Sequence, residues 1–263
     1  MTPVLKVMRY SVADLVRSRS ALAYAGFFGV TAWSLFHFGE EPSQAIVSLL
    51  SLVLLVIPLV SVVFGMTHFY GAREFMELLL VQPVDRGSVY WGHYLGLSVS
   101  LVLAYVAGLL GPFLWYGLQS GADAVALAAL LGAGALLTLI FVGLAFFVAL
   151  RTENRLKALG AAVLLWLAFA VMYDGLVLVG AMAFQDYPLE TPLIGLMLLN
   201  PLDLARVLIL LRLDVAALMG YTGAVFQAFF GSAWGSALAL LALGLWTVVP
   251  ALAGLRAYRR KDF

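Results

Sequence analysis

The basic residues of this chain lie at the edges of long apolar stretches, and this pattern limits the possible folds more than any other feature. Thirteen of the fifteen Lys and Arg residues fall in four short polar patches. They are Lys6, Arg9, Arg17 and Arg19; Arg73 and Arg86; Arg151, Arg155 and Lys157; and Arg256, Arg259, Arg260 and Lys261. The opposite ends of the stretches carry acidic residues, and only Arg206 and Arg212 break the pattern. Because positive residues stay on the cytoplasmic side at insertion, the pattern predicts a membrane protein with both termini in the cytoplasm.

The composition agrees with a membrane protein and excludes several other classes. Of the 263 residues, 64% are hydrophobic and 11% are charged, whereas a soluble domain carries about 25% charged residues. The formal net charge of +1 gives no reason to expect a nucleic-acid partner. Since the chain has no cysteine, it has no disulfides, thiolate metal sites or cysteine nucleophiles.

Six stretches are long enough to cross the roughly 30 Å hydrocarbon core, which takes about 20 helical residues. They lie near 21–39, 44–66, 94–117, 123–149, 158–183 and 233–255. The sequence therefore predicts an all-α integral membrane protein with a single transmembrane domain over residues 1–263. Residues 1–20 place Val4, Met8 and Val12 opposite Lys6 and Arg9, which favours an interfacial amphipathic helix over a soluble flanking helix.

The connection 67–93 contains a further predicted helix. A run from Ala72 to Val81 mixes charged with apolar residues and ends at Gln82-Pro83, because the residue before proline is disfavoured in a helix. This predicts an amphipathic helix parallel to the membrane on the cytoplasmic side, where it can contact a soluble partner. Glu74 and Glu77 either take part in that contact or are simply solvated.

The segment 184–232 is apolar but interrupted by prolines and charges, so no uninterrupted piece of it spans the membrane. Irregular backbone at membrane depth must be buried in protein or line a cavity. We therefore expect short re-entrant helices on the outer side before the last span. Within the segment, Asn200-Pro201 favours a turn, Asp203 can cap the helix that follows, and Arg206 lies one turn further along.

Asp174 is the one acidic residue well inside a predicted span. A carboxylate at that depth costs about 3 kcal/mol and therefore takes a partner, for which Arg206 and Arg212 are the candidates. The cluster of Asp174, Asn200, Asp203 and Arg206 is either a substrate or proton site or a structural charge pair that fixes the outer helices to the fifth span.

Other motifs are missing or uninformative. The chain contains no Gly-Lys pair and hence no phosphate loop, so any ATP must be bound by another polypeptide. The three histidines, His37, His68 and His93, lack metal-ligand spacing and are expected at opposite membrane ends, which argues against a metal site. Aromatic residues at the span ends predict an interfacial belt; they are Tyr90, Trp91, Tyr94, Trp115, Tyr116, Tyr187 and Trp234.

The order of these elements, with residues 77–87 and 92–96, resembles the type-2 ATP-binding-cassette exporter permeases. Residues 77–87 read Glu-Leu-Leu-Leu-Val-Gln-Pro-Val-Asp-Arg-Gly, similar to that family's acidic helix, leucines, proline and arginine before the third span. The family's Gly-Thr is replaced near Phe75-Met76 and its lysine by His93. Residues 172–178 and 199–206 are similar to the permeases that serve nitrous-oxide-reductase maturation.

The resemblance implies a homodimeric permease of the inner membrane whose coupling helix docks on a cytoplasmic ATPase, with ATP and Mg bound in that partner and no cofactor in this chain. The implied coupling residues are Arg73, Glu74, Glu77, Pro83 and Arg86. It also implies a periplasmic accessory protein and a role in copper-centre assembly. The absence of cysteine argues against a thiolate copper path through this subunit.

Two alternatives stay open at the level of sequence. The chain could serve a different type-2 exporter, for gliding motility, drugs or lipids. It could also be a stand-alone secondary transporter, although that class has several intramembrane charges and repeated halves, whereas this chain has Asp174 and no convincing repeat.

Overall fold

Helices make up the regular structure of the described part of the chain. The computed structural model describes residues 3–16, 18–39, 42–80, 84–117, 124–184, 190–212 and 229–261. The helices are α1 (Pro3–Val16), α2 (Arg19–Phe38), α3 (Pro42–Gly71), α4 (Arg73–Leu80), α5 (Arg86–Pro112), α6 (Ala124–Arg151), α7 (Arg155–Leu167), α8 (Tyr173–Ala183), α9 (Glu190–Leu198), α10 (Pro201–Arg212) and α11 (Ala233–Arg260). A π-helical turn follows α5 at Phe113–Gly117, and another joins α7 to α8 at Ala168–Met172.

Among the described residues, six helices are long and apolar enough to cross a membrane, in agreement with the six predicted spans; a bent pair, Pro192–Leu198 with Pro201–Leu211, comes before the last of them. They cover Arg19–Phe38, Gln44–Gly71, Arg86–Trp115, Ala124–Arg151, Arg155–Ala183 and Trp234–Arg260. The second span ends five residues later than predicted and the third begins eight residues earlier. The third begins at Arg86 because the carboxylate of Asp85 caps the helix, accepting a hydrogen bond from Ser88 N at 3.1 Å.

Helix α5 is the central element, because tyrosine side chains on it bind the backbones of two other helices. Tyr90 Oη donates to Ala251 O of α11 at 2.9 Å. Tyr94 Oη donates to Leu139 O and Tyr105 Oη donates to Leu130 O, both in α6 at 3.0 Å. The prediction that Tyr90 and Tyr94 belong to an interfacial belt was wrong: both are buried, because each hydroxyl has a helical carbonyl to bind.

Small residues on α5 let α1 and α2 approach it closely. A Cβ atom added at Gly92 would lie 2.6 Å from Val7 Cβ, and one at Gly96 would lie 2.5 Å from Ser11 Cβ. A Cβ at Gly108 would lie 2.5 Å from Ala25 O of α2. The pair Gly92 and Gly96 has the four-residue spacing of close helix contacts in membranes. Helix α1 is thus packed into the bundle by a glycine face.

The charged ends of α5, α6 and α11 meet at one end of the bundle, which we call the basic end. Arg86 Nη1 donates to Arg259 O and Lys261 O, each at 3.2 Å, and Lys261 Nζ donates to Leu150 O at 3.2 Å. Cations at helix C-termini satisfy carbonyls that lack an intrahelical partner. Burial lowers the pKa of Lys261, and the positive charge of Arg73 lowers it further. We call the opposite end of the bundle the far end.

The glycine face predicts a packing defect on substitution. Gly96→Ala should destabilise the protein by about 1–3 kcal/mol, because the added methyl overlaps Ser11 and the two helices must separate. Gly111→Ala is a matched control in the same helix, since a Cβ there meets nothing within 4 Å. Thermal unfolding in detergent measures both variants. Equal melting temperatures for the two would contradict the packing described here.

The gathering of basic residues predicts an orientation that labelling can test. The chain has no native cysteine, so single-cysteine variants carry no background. A cysteine at Ser120, between α5 and α6, should react with a membrane-impermeant maleimide in intact cells. A cysteine at the exposed Glu153, between α6 and α7 at the basic end, should react only after lysis. The reverse labelling order would invert the predicted topology.

Candidate functional site

The segment before the last span contains a sharply bent helix pair with Asn200 at its corner. Helices α9 and α10 meet at an angle of 108°. Asn200 Oδ1 accepts a hydrogen bond from Leu202 N at 3.0 Å, and Pro201 is the first residue of α10. An asparagine cap followed by proline is a favourable helix start, because proline lacks the N–H that would be unsatisfied there. This corner agrees with the predicted re-entrant segment; residues 213–228 lie outside the described part.

Asn200 also fixes this corner to the fifth span. Its Nδ2 donates to Asp203 Oδ2 at 2.9 Å and to Phe169 O at 3.1 Å, in the π turn between α7 and α8. Trp246 Nε1 of α11 donates to Leu198 O at 3.2 Å. Asn200 is fully buried, and its side-chain oxygen and nitrogen are both hydrogen-bonded. A buried polar group is stable only when it is satisfied in this way.

One guanidinium joins two carboxylates beside the corner. Arg206 Nη1 lies 3.1 Å from Asp174 Oδ2 and 3.3 Å from Asp203 Oδ1. The structure thus brings together the four residues of the predicted polar cluster, and Arg206 is a partner of Asp174. The side chain of Arg212, the other candidate partner, lies outside the described residues. The contacts themselves assign no role to the cluster, so its function as a site stays a prediction.

The cluster has a buried half and an accessible half. Asn200 and Asp203 are buried, whereas the side chains of Asp174 and Arg206 keep 39% and 37% of their surface exposed. The exposed half lies against a cavity of about 350 Å³. The cavity is lined by Tyr173, Asp174, Val177, Leu178, Ala181, Leu193, Met197, Asp203 and Arg206. Sequence reasoning missed this cavity, because its apolar wall reads as ordinary membrane helix.

The predicted coupling residues separate into two places. Arg73 and Glu74 begin α4, whose Met76 is buried and whose Leu78 is 67% exposed, so this short helix has one buried and one open face. The ring of Phe75 stacks on Tyr10 of α1 at 5.6 Å. Arg86 lies instead at the start of α5 and binds the end of α11. The side chain of Glu77 and the whole of Pro83 lie outside the described residues.

Two of the histidines are neighbours in the structure. His68 Nε2 and His93 Nδ1 are 3.3 Å apart. Both residues belong to the predicted cytoplasmic connection 67–93, and they meet where the end of α3 and the start of α5 reach the basic end. Among the described residues, no group of three or more His, Asp or Glu side chains is placed to hold a metal ion.

The described helices define the class: a multi-pass helical membrane protein with a short amphipathic helix between its second and third spans and a broken helix pair before its sixth. The family model for the ABC-2 family transporter protein matches residues 7–263. The chain belongs to this family of permeases.

Two similar proteins are both described as the probable ABC transporter permease protein NosY. The one from Pseudomonas aeruginosa is 29% identical over 238 residues, covering 84% of this chain and 86% of that protein. The one from Stutzerimonas stutzeri is 27% identical over 268 residues, covering 95% of this chain and 90% of that protein. The similarity therefore extends over most of both chains.

Because Arg206 is shared by two carboxylates, substitutions of Arg206 and of Asp174 should lower the stability of the protein by different amounts. Arg206→Gln should destabilise the protein more than Asp174→Asn, because it leaves two carboxylates without a cation, whereas Asp174→Asn leaves Arg206 with Asp203. The double variant should show a coupling energy of about 0.5–1 kcal/mol, a modest figure because both side chains are more than one-third exposed. Denaturant unfolding in mixed micelles measures the cycle. Strict additivity would rule out an energetic link between the two residues.

Proposed function

We propose that this chain is the permease subunit of a transporter whose energy comes from ATP hydrolysis in a separate cytoplasmic ATPase, and that α4 is the helix on which this ATPase acts. ATP and Mg are bound by that partner, since the chain contains no phosphate loop. The observation that carries the proposal is the open face of α4 at the basic end, with Glu74 and Leu78 exposed. Membership of the permease family supports it.

The contacts of α4 suit it to transmit a displacement. Met76 is buried, and Phe75 lies between Tyr10 of α1 and His93 of α5, with ring centroids 5.6 and 6.1 Å away. Ala72 N donates to His68 O at 2.9 Å, which continues α3 almost to the start of α4. A movement of α4 therefore acts on three helices at once. Two packed arrangements of those helices would give the alternation that transport requires.

The basic end faces the cytoplasm in this proposal, and the protein resides in the inner membrane with both termini inside. The supporting observation is the concentration of Lys and Arg at the ends of α6 and α11 and at the starts of α2, α4, α5 and α7. A cytoplasmic ATPase could then reach α4 directly, and the cavity beside Asp174 would open toward the outer side.

A second copy of the chain is the proposed partner within the membrane. In the apolar part of the span Arg155–Ala183, only 6% of the residues are buried, against 56% in the span Ala124–Arg151. Leu176, Val179 and Met182 on α8 are among its exposed side chains. A span with so few contacts in its own chain has a large face available for a homodimer.

The proposal for the transported process rests on the resemblance of residues 172–178 and 199–206 to the permeases that serve nitrous-oxide-reductase maturation. Together with the similarity to two proteins described as NosY, it favours a role in maturation of the copper centre of nitrous oxide reductase, by substrate export or by mechanical transmission to a periplasmic accessory protein. The alternative is the permease of another type-2 exporter. A stand-alone secondary transporter is the other alternative; among the described residues, its intramembrane charges would be limited to Asp174, Asp203 and Arg206.

Charge reversal on α4 tests the coupling proposal. The double variant Glu74→Lys/Glu77→Lys should lower co-purification with the proposed ATPase partner by about tenfold or more, because like charges at an interface cost several kcal/mol. Glu153→Lys is the matched control, since Glu153 is an exposed acid at the same end outside α4. Co-purified ATPase and its hydrolysis rate are the measurements.

The opposite results are equally clear. Retention of the ATPase by the α4 variant, or the same loss in Glu153→Lys, would remove α4 from the interface. If purified chain alone moved solute along a proton gradient in liposomes, the secondary-transporter alternative would replace the proposal.

A further inference from the structure

The cavity beside the polar cluster combines an apolar wall with a charged lining. Val177, Leu178 and Ala181 of α8 and Leu193 and Met197 of α9 form the apolar wall. Asp174, Asp203 and Arg206 supply the charged lining. A volume of about 350 Å³ is at the lower end of the range for small-molecule sites, which run from about 300 to 1,000 Å³.

The accessible ion pair is accompanied by neutral hydrogen bonds between the same elements. Tyr173 Oη donates to Leu196 O at 2.6 Å, which ties the start of α8 to α9. Asn200 Nδ2 donates to Phe169 O at 3.1 Å, which ties the π turn to α10. With these bonds in place, Asp174 and Arg206 still keep more than one-third of their side chains exposed, and both line the cavity.

The charged lining of the cavity offers a carboxylate to a cationic ligand. Asp174 shares the guanidinium of Arg206 with Asp203. The side chain of Asp174 keeps 39% of its surface exposed, so its carboxylate is accessible from the cavity. A carboxylate next to an apolar wall attracts a cation more strongly than it would in water, because the surroundings screen it less.

We propose that this cavity binds a small amphiphile made of a primary ammonium group on an apolar body. The ammonium group has three donors and suits the exposed carboxylate of Asp174, while the apolar body lies along Val177, Ala181 and Met197. This site goes beyond the proposed function, since it requires neither an ATPase nor a second copy of the chain. The same chemistry is found in a free amine and in the ethanolamine headgroup of a membrane lipid.

Binding to the full chain in phosphatidylcholine nanodiscs tests the site, with empty discs subtracted. Octylamine, octanol and octanoate have matched chains and cationic, neutral and anionic heads. Octylamine should bind saturably and at least about tenfold more tightly than the other two. Asp174→Asn should weaken octylamine binding by about tenfold or more, and Glu153→Gln, which removes an exposed acid outside the cavity, should leave it unchanged.

Two further arms complete the experiment. Ala181→Leu narrows the apolar wall without touching a charge, so it should weaken octylamine binding even if Asp174→Asn fails to fold. Discs that contain phosphatidylethanolamine identify the source: weaker octylamine binding there indicates that the lipid headgroup occupies the cavity, and unchanged binding indicates a free amine. Octanoate binding as tight as that of octylamine, no saturable octylamine binding in phosphatidylcholine discs, or unchanged binding in a folded Asp174→Asn variant would overturn the proposal.

Discussion

The hydrogen bond from a tyrosine hydroxyl to a helical carbonyl is the interaction on which the bundle depends. In a bilayer, apolar contact between helices gives little advantage over contact with lipid, so association requires close packing and polar bonds. Helix α5 supplies both. Its tyrosines bind the backbones of α6 and α11, and its glycines admit α1 and α2. The remaining spans are arranged around the positions that these contacts fix.

The fifth span, formed by α7, the π turn and α8, is attached very differently. Its identified polar ties to other helices are from Trp166 Nε1 to Leu55 O, from Tyr173 to Leu196 O, from Asn200 to Phe169 O, and from Arg206 to Asp174. Three of these four involve the broken helix pair. The pair itself packs on the core through buried residues of α10 such as Leu204 and Ala205, so the polar cluster lies between the fifth span and an element of the core. Movement of α8 relative to the broken pair would reshape the cavity while the tyrosine bonds of α5 stay in place.

Much of this arrangement could be predicted from the sequence, because membrane insertion leaves strong signals. Charge bias and hydrophobic length gave the number of spans, and the prolines around Asn200 gave the broken segment. The pairing of Asp174 with Arg206 followed from the cost of a lone carboxylate at that depth. These are constraints that each segment obeys by itself.

The errors concern relations between segments. Tyr90 and Tyr94 resemble interfacial aromatics until a facing carbonyl is known. Span ends were also placed too early or too late, because polar residues such as His93 are buried against other helices and do not mark the membrane surface. Packing partners decide such cases, and a single sequence does not specify them.

The π turn at Ala168–Met172 sets the direction in which the side chains of α8 point. Tyr173 N donates to Ala168 O, five residues back, so this turn holds one residue more than an α-helical turn. Each residue of an α-helix advances the side-chain direction by about 100°. Loss of one residue here would restore a regular helix and turn α8 by that angle, carrying Asp174 away from Arg206 and Tyr173 away from Leu196. A single inserted residue therefore decides which neighbours the side chains of α8 face. Selection can thus act on the length of this turn more than on its composition.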